Sequence, residues 1–488
     1  MGSLDTLLPL VTLTSIILTA AILCLPSRNT HSHTQGKEKK GRVAVLVLGD
    51  IGRSPRMQYH ALSLAANGWA VDLIGYDEST PRPEILSSPD IRIIPLPPPP
   101  PVLGVSSKAL FPIIAPFKVL FQLSALFYLL FYIIRPPSYI LVQNPPSIPT
   151  LLVARITAFV RNSRLVIDWH NFGYSILALK LGDDHPLVRI SKWYETKFGN
   201  SAYANFTVTD QMRKVLRQDW RITYVVFKIS YLVNIFYHGS YNCVSHSTPI
   251  LTLHDRPPTI FQPLDHKQRD AFLSTHRLTA QNVPFDNTKL LISSTSWTPD
   301  EDFSILFAAL QYYTTTVKKS PLSAKLPNIL AVITGKGPLL KHYEPLINEL
   351  NESKSCVTIR TEFLPAEEYP KLLASADLGV CLHTSSSGVD LPMKVVDMFG
   401  VGIPVAAVKF EAIGELVKDG INGVVFEAGV NPGQTKGEEL GDILVRLFGD
   451  SNELEVLKEG AMKEVERRWE GEWDEIAKGV FEGKAKSQ

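Results

Sequence analysis

Residues 42–76 read RVAVLVLGDIGRSPRMQYHALSLAANGWAVDLIGY, and the reading of that stretch decides the fold. "RVAVLVLGD" is a continuous apolar run that ends at Gly49-Asp50-Ile51-Gly52, the pattern of a buried strand. "SPRMQYHALSLAANG" then takes up a helical pattern, and "WAVDLIGY" is a second apolar run. Strand, helix and strand in that order open a doubly wound sheet.

Working outward, "SYILVQNPPS", "RLVIDWHNFGYS" and "YANFTVTDQMRKVL" are three more strand-then-loop units. In the last, Thr209 or Asp210 is the expected N-cap of a helix. A second doubly wound unit follows, from "KLLISSTSW" through "NILAVITGKGP", "VTIRTEFLP" and "ADLGVCLH" to "GIPVAAV". The expected fold class is therefore α/β, with two Rossmann-like domains facing a cleft. Ligands of such folds bind outside the carboxyl ends of the strands. The reading divides the chain into a membrane anchor (1–26), a polar tether (27–40), a first domain (41–250), a second domain (251–452) and a C-terminal helix and tail (453–488).

The anchor rests on "LLPLVTLTSIILTAAILCL", residues 7–25, which is uncharged and about as long as the ~20 residues that span a bilayer. Lys and Arg follow it and none precede it, so the positive-inside rule places the rest of the chain in the cytosol. Asn205-Phe-Thr and Asn351-Glu-Ser then stay unglycosylated. A second apolar stretch, residues 109–134, contains prolines and Lys118. That argues for a helix on the membrane surface or in a groove rather than a span. With 49 Lys and Arg against 48 Asp and Glu, nothing suggests a nucleic-acid partner. The four cysteines lie far apart, which excludes a zinc cluster and a dense disulfide framework.

Residues 385–397, "SSSGVDLPMKVVD", carry the sharpest chemical signal. Ser386, Ser387 and Gly388 offer small side chains and backbone N–H groups, proline starts a helix, and Lys394 adds charge near its positive end. That is an anion cradle, with Asp397 placed for a sugar or ribose hydroxyl. Gly335-Lys336-Gly337 after a strand is a second candidate for phosphate, and Ser296-Trp297 a further ligand-facing loop. In the first domain, Asp50 and His170 each sit at a strand end and are alternative general bases.

"SSTSWTPDEDF", "ITGKGP", "SSSGVDLPMKVVDMFG", "DWHNFGYS" and "LHDRPP" resemble the chitobiosyldiphosphodolichol beta-mannosyltransferase family of eukaryotic N-glycan assembly. The resemblance runs from Gly41 to Glu427. It implies a GT-B fold and an inverting enzyme on the cytosolic face of the endoplasmic reticulum, single-pass with a lumenal N-terminus. The reaction implied moves mannose from GDP-mannose to GlcNAc2-diphosphodolichol. Under that resemblance Lys336, Lys394 and the serine loop hold the diphosphate, Asp390 and Asp397 the hydroxyls, and His170 or Asp50 acts as base. Retaining relatives of the superfamily carry glutamates eight apart where this chain has aspartates seven apart, so those roles are not transferred. No cofactor is required by this reading, and a divalent cation is compatible but not indicated by any DxD motif. Other mannosyltransferases acting on lipid-linked sugars are expected partners. Two alternatives remain open: a transferase using a UDP-sugar and a non-catalytic membrane-tethered scaffold. Residues 227–248 find no counterpart in the resemblance and read as an insertion or translated intron.

Overall fold

The computed structural model describes residue 15 and residues 39–484, apart from 105–110, 201, 223, 226–244, 247, 283–284, 320–325, 354–355, 366, 430–434 and 450. The expected anchor, most of the tether and most of the suspected insertion lie outside the described residues.

The first sheet takes β1 (Arg42–Asp50), β2 (Ala70–Tyr76), β3 (Ile91–Pro95), β4 (Tyr139–Asn144), β5 (Arg164–Trp169) and β6 (Ala204–Thr207). A two-residue antiparallel pair, β7 (Tyr224–Val225) with β8 (Ser245–His246), precedes its last strand, β9 (Ile250–Thr252). The order is β3-β2-β1-β4-β5-β6-β9. β1 pairs in parallel with both β2 and β4, so the winding reverses there and opens a crevice at the ends of those strands. Val43 to Val47 are almost wholly buried, as a parallel strand covered on both faces requires.

The second sheet holds β10 (Thr288–Ser294), β11 (Asn328–Thr334), β12 (Val357–Glu362), β13 (Leu378–Cys381), β14 (Val405–Val408) and β15 (Gly423–Phe426). Its order, β12-β11-β10-β13-β14-β15, reverses between β10 and β13. One face packs under the helices Phe303–Lys319 and Glu438–Gly449, and the other includes Val395, Met398 and Phe399 from the helix Met393–Gly400.

The chain divides into two compact units. The first holds the described residues up to Phe206, Trp220–Ile250 and those from Val480; the second holds Thr207–Asp219 and Leu251–Gly479. A break at residue 250 is thus joined by three more, after 206, 219 and 479. The helix Asp210–Lys214, capped by the Thr209 hydroxyl, belongs to the second unit although its sequence neighbours belong to the first. The C-terminal segment is also split: Trp473 is buried in the second unit, while Phe481 packs edge-on against Tyr139 of the first at 5.2 Å.

Ile114–Ile133 is long and apolar enough to cross a membrane by length and composition alone. Its C-terminal half buries Leu126, Leu130 and Phe131, while Phe117, Leu120 and Tyr132 remain exposed. Asn205 is fully buried and accepts a hydrogen bond from the Trp169 indole at 2.9 Å, so folding removes that sequon from reach.

Candidate functional site

In the first unit the residues converge on Asp168, the penultimate residue of β5, whose carboxylate is fully buried. The Arg56 guanidinium grips both oxygens, Nε at 2.8 Å and Nη2 at 2.9 Å. His60 Nε2 lies 3.1 Å and His170 Nε2 2.8 Å from Oδ2. Arg56 and His60 stand four apart on the helix Pro55–Ala66, which places both on one face. Burial by itself would push the Asp168 carboxyl up, but Arg56, His170 and His60 outweigh it and hold it well below the usual range. An ionised carboxylate has no proton to give, so each imidazole donates through Nε2. His60 is entirely buried, and that burial pushes its ring below the ordinary histidine value despite Asp168. His170 keeps about a fifth of its side chain exposed. A histidine oriented by a buried carboxylate through one nitrogen can take a proton at the other.

The rest of the "DWHNFGYS" motif builds the turn that presents His170. Its backbone N–H donates to Asn144 O at 2.8 Å, the Asn171 side chain accepts from the Phe172 amide, and buried Glu195 accepts from the Gly173 and Tyr174 amides that open the next helix. Asp50, the alternative base, has a different task. Its Oδ1 accepts the backbone N–H groups of Gly52, Glu78 and Ser79 at 3.0 to 3.3 Å. Burial raises its carboxyl, yet the bonds from Ser79, Gly52 and Glu78 prevail and lower it. A carboxylate stabilised in this way fastens two loops and is a weak base.

In the second unit the loops at the β10/β13 reversal are stitched together. Glu301, 2% exposed, accepts from the Thr295 hydroxyl at 2.6 Å, from the Ser296 amide at 3.0 Å and from Lys394 Nζ. Lys394 lies in the first turn of the helix Met393–Gly400, directly after Pro392, as the anion-cradle reading requires. Its charge is not free, however. It is paired with Glu301, which holds the ammonium in place at the helix start.

The serine loop is also more self-contained than its sequence suggests. Ser385 and Ser387 hydroxyls turn to Asp390 Oδ1, so Asp390 organises the loop. Ser386 sits between them, and Gly388 has φ +75°, a left-handed conformation that a side chain would strain. Asp390 also faces His383 Nε2 at 3.7 Å, and Asp300 holds His383 Nδ1 at 3.0 Å. Burial opposes the charge on His383, but hydrogen bonds to Asp300 and Asp390 raise its pKa to about 9. Asp397 is pushed well above the carboxylate range by burial and by the neighbouring Asp255. A carboxyl kept neutral in this way can donate a hydrogen bond as well as accept one.

Two readings of this unit need correction. The Trp297 side chain is fully buried, 4.4 Å from Phe303 and 5.9 Å from Tyr343 between ring centroids, so it serves the core and not a ligand. Gly335 and Gly337 are required because their backbone lies against another loop: a Cβ on either would come within 1.7 Å of Thr295 O or Ser296 O. Their smallness serves loop packing. Lys336 is exposed, with Nζ 4.1 Å from the centre of the Phe363 ring. Ser296 contributes its amide to Glu301, as described above.

Asp210, His254 and Glu415 bring ligand atoms within 4.8 Å of one another, which is metal-like spacing. Their chemistry is that of a strap. Glu415 accepts the Asp210 and Gln211 amides at 2.7 and 2.8 Å, while His254 lies between Glu415 at 3.2 Å and Glu472 at 3.3 Å. Burial pulls His254 down, but Glu415 and Glu472 raise it to about 9, so the charged ring bridges the two carboxylates.

Family models agree with this architecture: one described as a glycosyl transferase 4-like domain matches residues 52–225, and one described as glycosyl transferases group 1 matches residues 277–459. A relative from Arthroderma benhamiae named chitobiosyldiphosphodolichol beta-mannosyltransferase is 45% identical over 414 residues, 83% of this chain and 85% of its own. The chain belongs to the chitobiosyldiphosphodolichol beta-mannosyltransferase family. This bears out the resemblance carried by the motifs. An Arabidopsis thaliana relative named UDP-glycosyltransferase TURAN is 39% identical and covers 91% of this chain and 97% of its own. Among solved structures, sucrose-phosphate synthase from Thermosynechococcus elongatus superposes with a TM-score of 0.58 at 14% identity, over 89% of this chain and 97% of that one. At that identity the likeness concerns the GT-B fold alone.

The residues missed from sequence are Arg56, His60, Glu301 and His383. Arg56 and His60 left a signal, two basic residues four apart on the buried face of an apolar helix. Glu301 and His383 left none, because their partners lie 93 and 83 residues away.

Proposed function

We propose that the chain is an inverting glycosyltransferase that moves mannose from GDP-mannose to the terminal GlcNAc of GlcNAc2-diphosphodolichol, forming a β1,4 linkage. The observation that carries this reading is membership of the family at 45% identity across most of both chains. An α-linked donor and a β product require one displacement at the anomeric carbon. That displacement needs a base for the acceptor hydroxyl and stabilisation of the leaving diphosphate. His170, oriented by Asp168, is suited to the first task. Lys394, held by Glu301 at a helix start, is suited to the second, with protonated Asp397 donating to a hydroxyl. The stretch 7–25 anchors the chain in the endoplasmic reticulum membrane with its two units in the cytosol, where other transferases of lipid-linked sugars are its neighbours.

A UDP-sugar donor is the alternative that the test separates from this one; one relative carries a UDP-glycosyltransferase name, but the mannosyltransferase names of the other relatives do not favour it. The test is transfer of radiolabelled mannose from GDP-mannose to a lipid-linked GlcNAc2 diphosphate by the purified protein, followed by β-mannosidase digestion. Label released by β-mannosidase supports the proposal. Transfer from a UDP-sugar alone replaces the donor, and inactivity with every donor sinks the reading.

A further inference from the structure

The helical hairpin of the first unit carries two faces of opposite use. In the helix Pro186–Gly199, Val188, Ser191, Tyr194 and Glu195 are buried at helical spacing. Leu187, Ile190 and Trp193, each three residues from the next, form a second stripe that is 45 to 60% exposed. A surface helix of a soluble unit normally presents charged or polar residues there. The preceding helix, Gly173–Leu181, packs against it and exposes Leu179 at 66%.

This apolar surface is continuous with others. The helix Thr150–Arg161, which exposes Ile156 and Phe159, packs against both Pro186–Gly199 and the long apolar helix from Phe111. Four neighbouring helices of one unit thus display large apolar side chains outward. The charges around them are cationic: Lys118, Arg135, Lys180, Arg189, Lys192 and Lys197 are exposed, against Asp183 and Asp184. From Phe111 to Gly199 there are nine Lys and Arg and four Asp and Glu, in a chain whose net charge is +1.

We propose that the hairpin formed by Gly173–Leu181 and Pro186–Gly199 is a lipid-contact site, which lays the first unit on an anionic bilayer surface together with the exposed side of the helix from Phe111. The chemistry matches one occupant. Leucine and isoleucine enter the acyl boundary, the Trp193 indole takes the headgroup level, and Arg189 and Lys192 reach lipid phosphates from the flanks. A protein partner would meet a cationic rim with little to pair with on its own apolar core, whereas an anionic lipid surface offers both chemistries at once. The inference does not depend on which sugar nucleotide is the donor.

The test uses the full chain reconstituted into vesicles of phosphatidylcholine with one-fifth phosphatidylinositol, and reads tryptophan quenching by brominated phospholipid. The component of quenching lost in Trp193→Phe reports the hairpin. That component is expected to be substantial, and to shrink at least twofold when phosphatidylinositol is omitted. In Ile190→Glu/Trp193→Glu, whose sites are exposed, the KM for a long-chain lipid acceptor should rise about tenfold while the KM for the sugar nucleotide and turnover of a short-chain, detergent-soluble acceptor stay unchanged. Identical quenching in the parent and Trp193→Phe would overturn the proposal. So would a concentration-dependent dimer, seen by sedimentation without lipid and lost in the double glutamate variant, because the occupant would then be a second copy. Absence of mannose transfer by the parent would sink the functional reading and leave the quenching result readable.

Discussion

The two units of this molecule combine histidine and carboxylate in opposite ratios. In the first unit one carboxylate, Asp168, is shared by two imidazoles and a guanidinium. In the second, one imidazole lies between two carboxylates, and this happens twice: His383 between Asp300 and Asp390, and His254 between Glu415 and Glu472. The ratio decides what the histidine can do. Two carboxylates overcome the cost of burial and hold each of those rings as a cation up to about pH 9, so they fasten loops. Around Asp168 the single negative charge is already satisfied by Arg56, and burial disfavours a charge on His60. His170 is the member of that centre with solvent access, and therefore the one placed to collect a proton.

The comparison is broken most directly at His170. His170→Ala should lower turnover by about 10² to 10⁴-fold, the range for loss of a general base, with GDP binding and circular dichroism unchanged. An equal loss in His383→Ala without unfolding would show that the ratio does not separate catalysis from fastening. At the helix start, Lys394→Met should cost about 10² to 10³ in kcat if the ammonium stabilises the departing diphosphate. It should also destabilise the fold, since buried Glu301 loses its partner. Lys394→Met/Glu301→Gln should restore the denaturant midpoint but not the turnover, which divides the two effects.

Asp168→Asn removes the charge that three cationic or ring partners share, and should cost about 3 to 5 kcal/mol in denaturant unfolding. Asp390→Asn, which faces only a part-exposed ring and two hydroxyls, should cost about 1 kcal/mol by the same measurement.

A comparably small effect is a pH dependence. His254 is raised from 6.5 to about 9, so its stabilisation is complete below pH 6.5 and is lost as pH rises through 9. Glu472 is lowered from 4.5 to about 2, so its share is complete above pH 4.5 and is lost as pH falls through 2. Both are complete only between pH 4.5 and 6.5. Thermal unfolding should weaken between pH 6.5 and 9 by about 1 to 2 kcal/mol for this ring, and His254→Ala should reduce the slope to the share that His383 contributes over the same range.

Much of the fold was legible because it rests on local patterns. Continuous apolar strands, such as Val43 to Leu48, alternate with helices whose buried positions recur at three and four residues. The candidate site was only half legible. The helix start that carries Lys394 and Asp397 was readable because a proline marks it within one turn, whereas their partners Glu301 and Asp255 lie far along the chain. Trp297 and the two glycines at 335 and 337 misled because a loop that packs on another loop looks, in sequence, like one that approaches a ligand.

By itself, then, the sequence determined two wound sheets, the order of their strands' chemistry and the family to which the chain belongs, since all three are written in spacing and in contiguous motifs. Tertiary structure alone decided which charges are spent on one another. Asp168 meets Arg56 across 112 positions, and Glu301 meets Lys394 across 93. It also decided that the segment Thr207–Asp219 leaves its sequence neighbours for the second unit. Those outcomes depend on burial and on distance through space, which raise the energy of any unpaired charge and select a partner however far along the chain it lies.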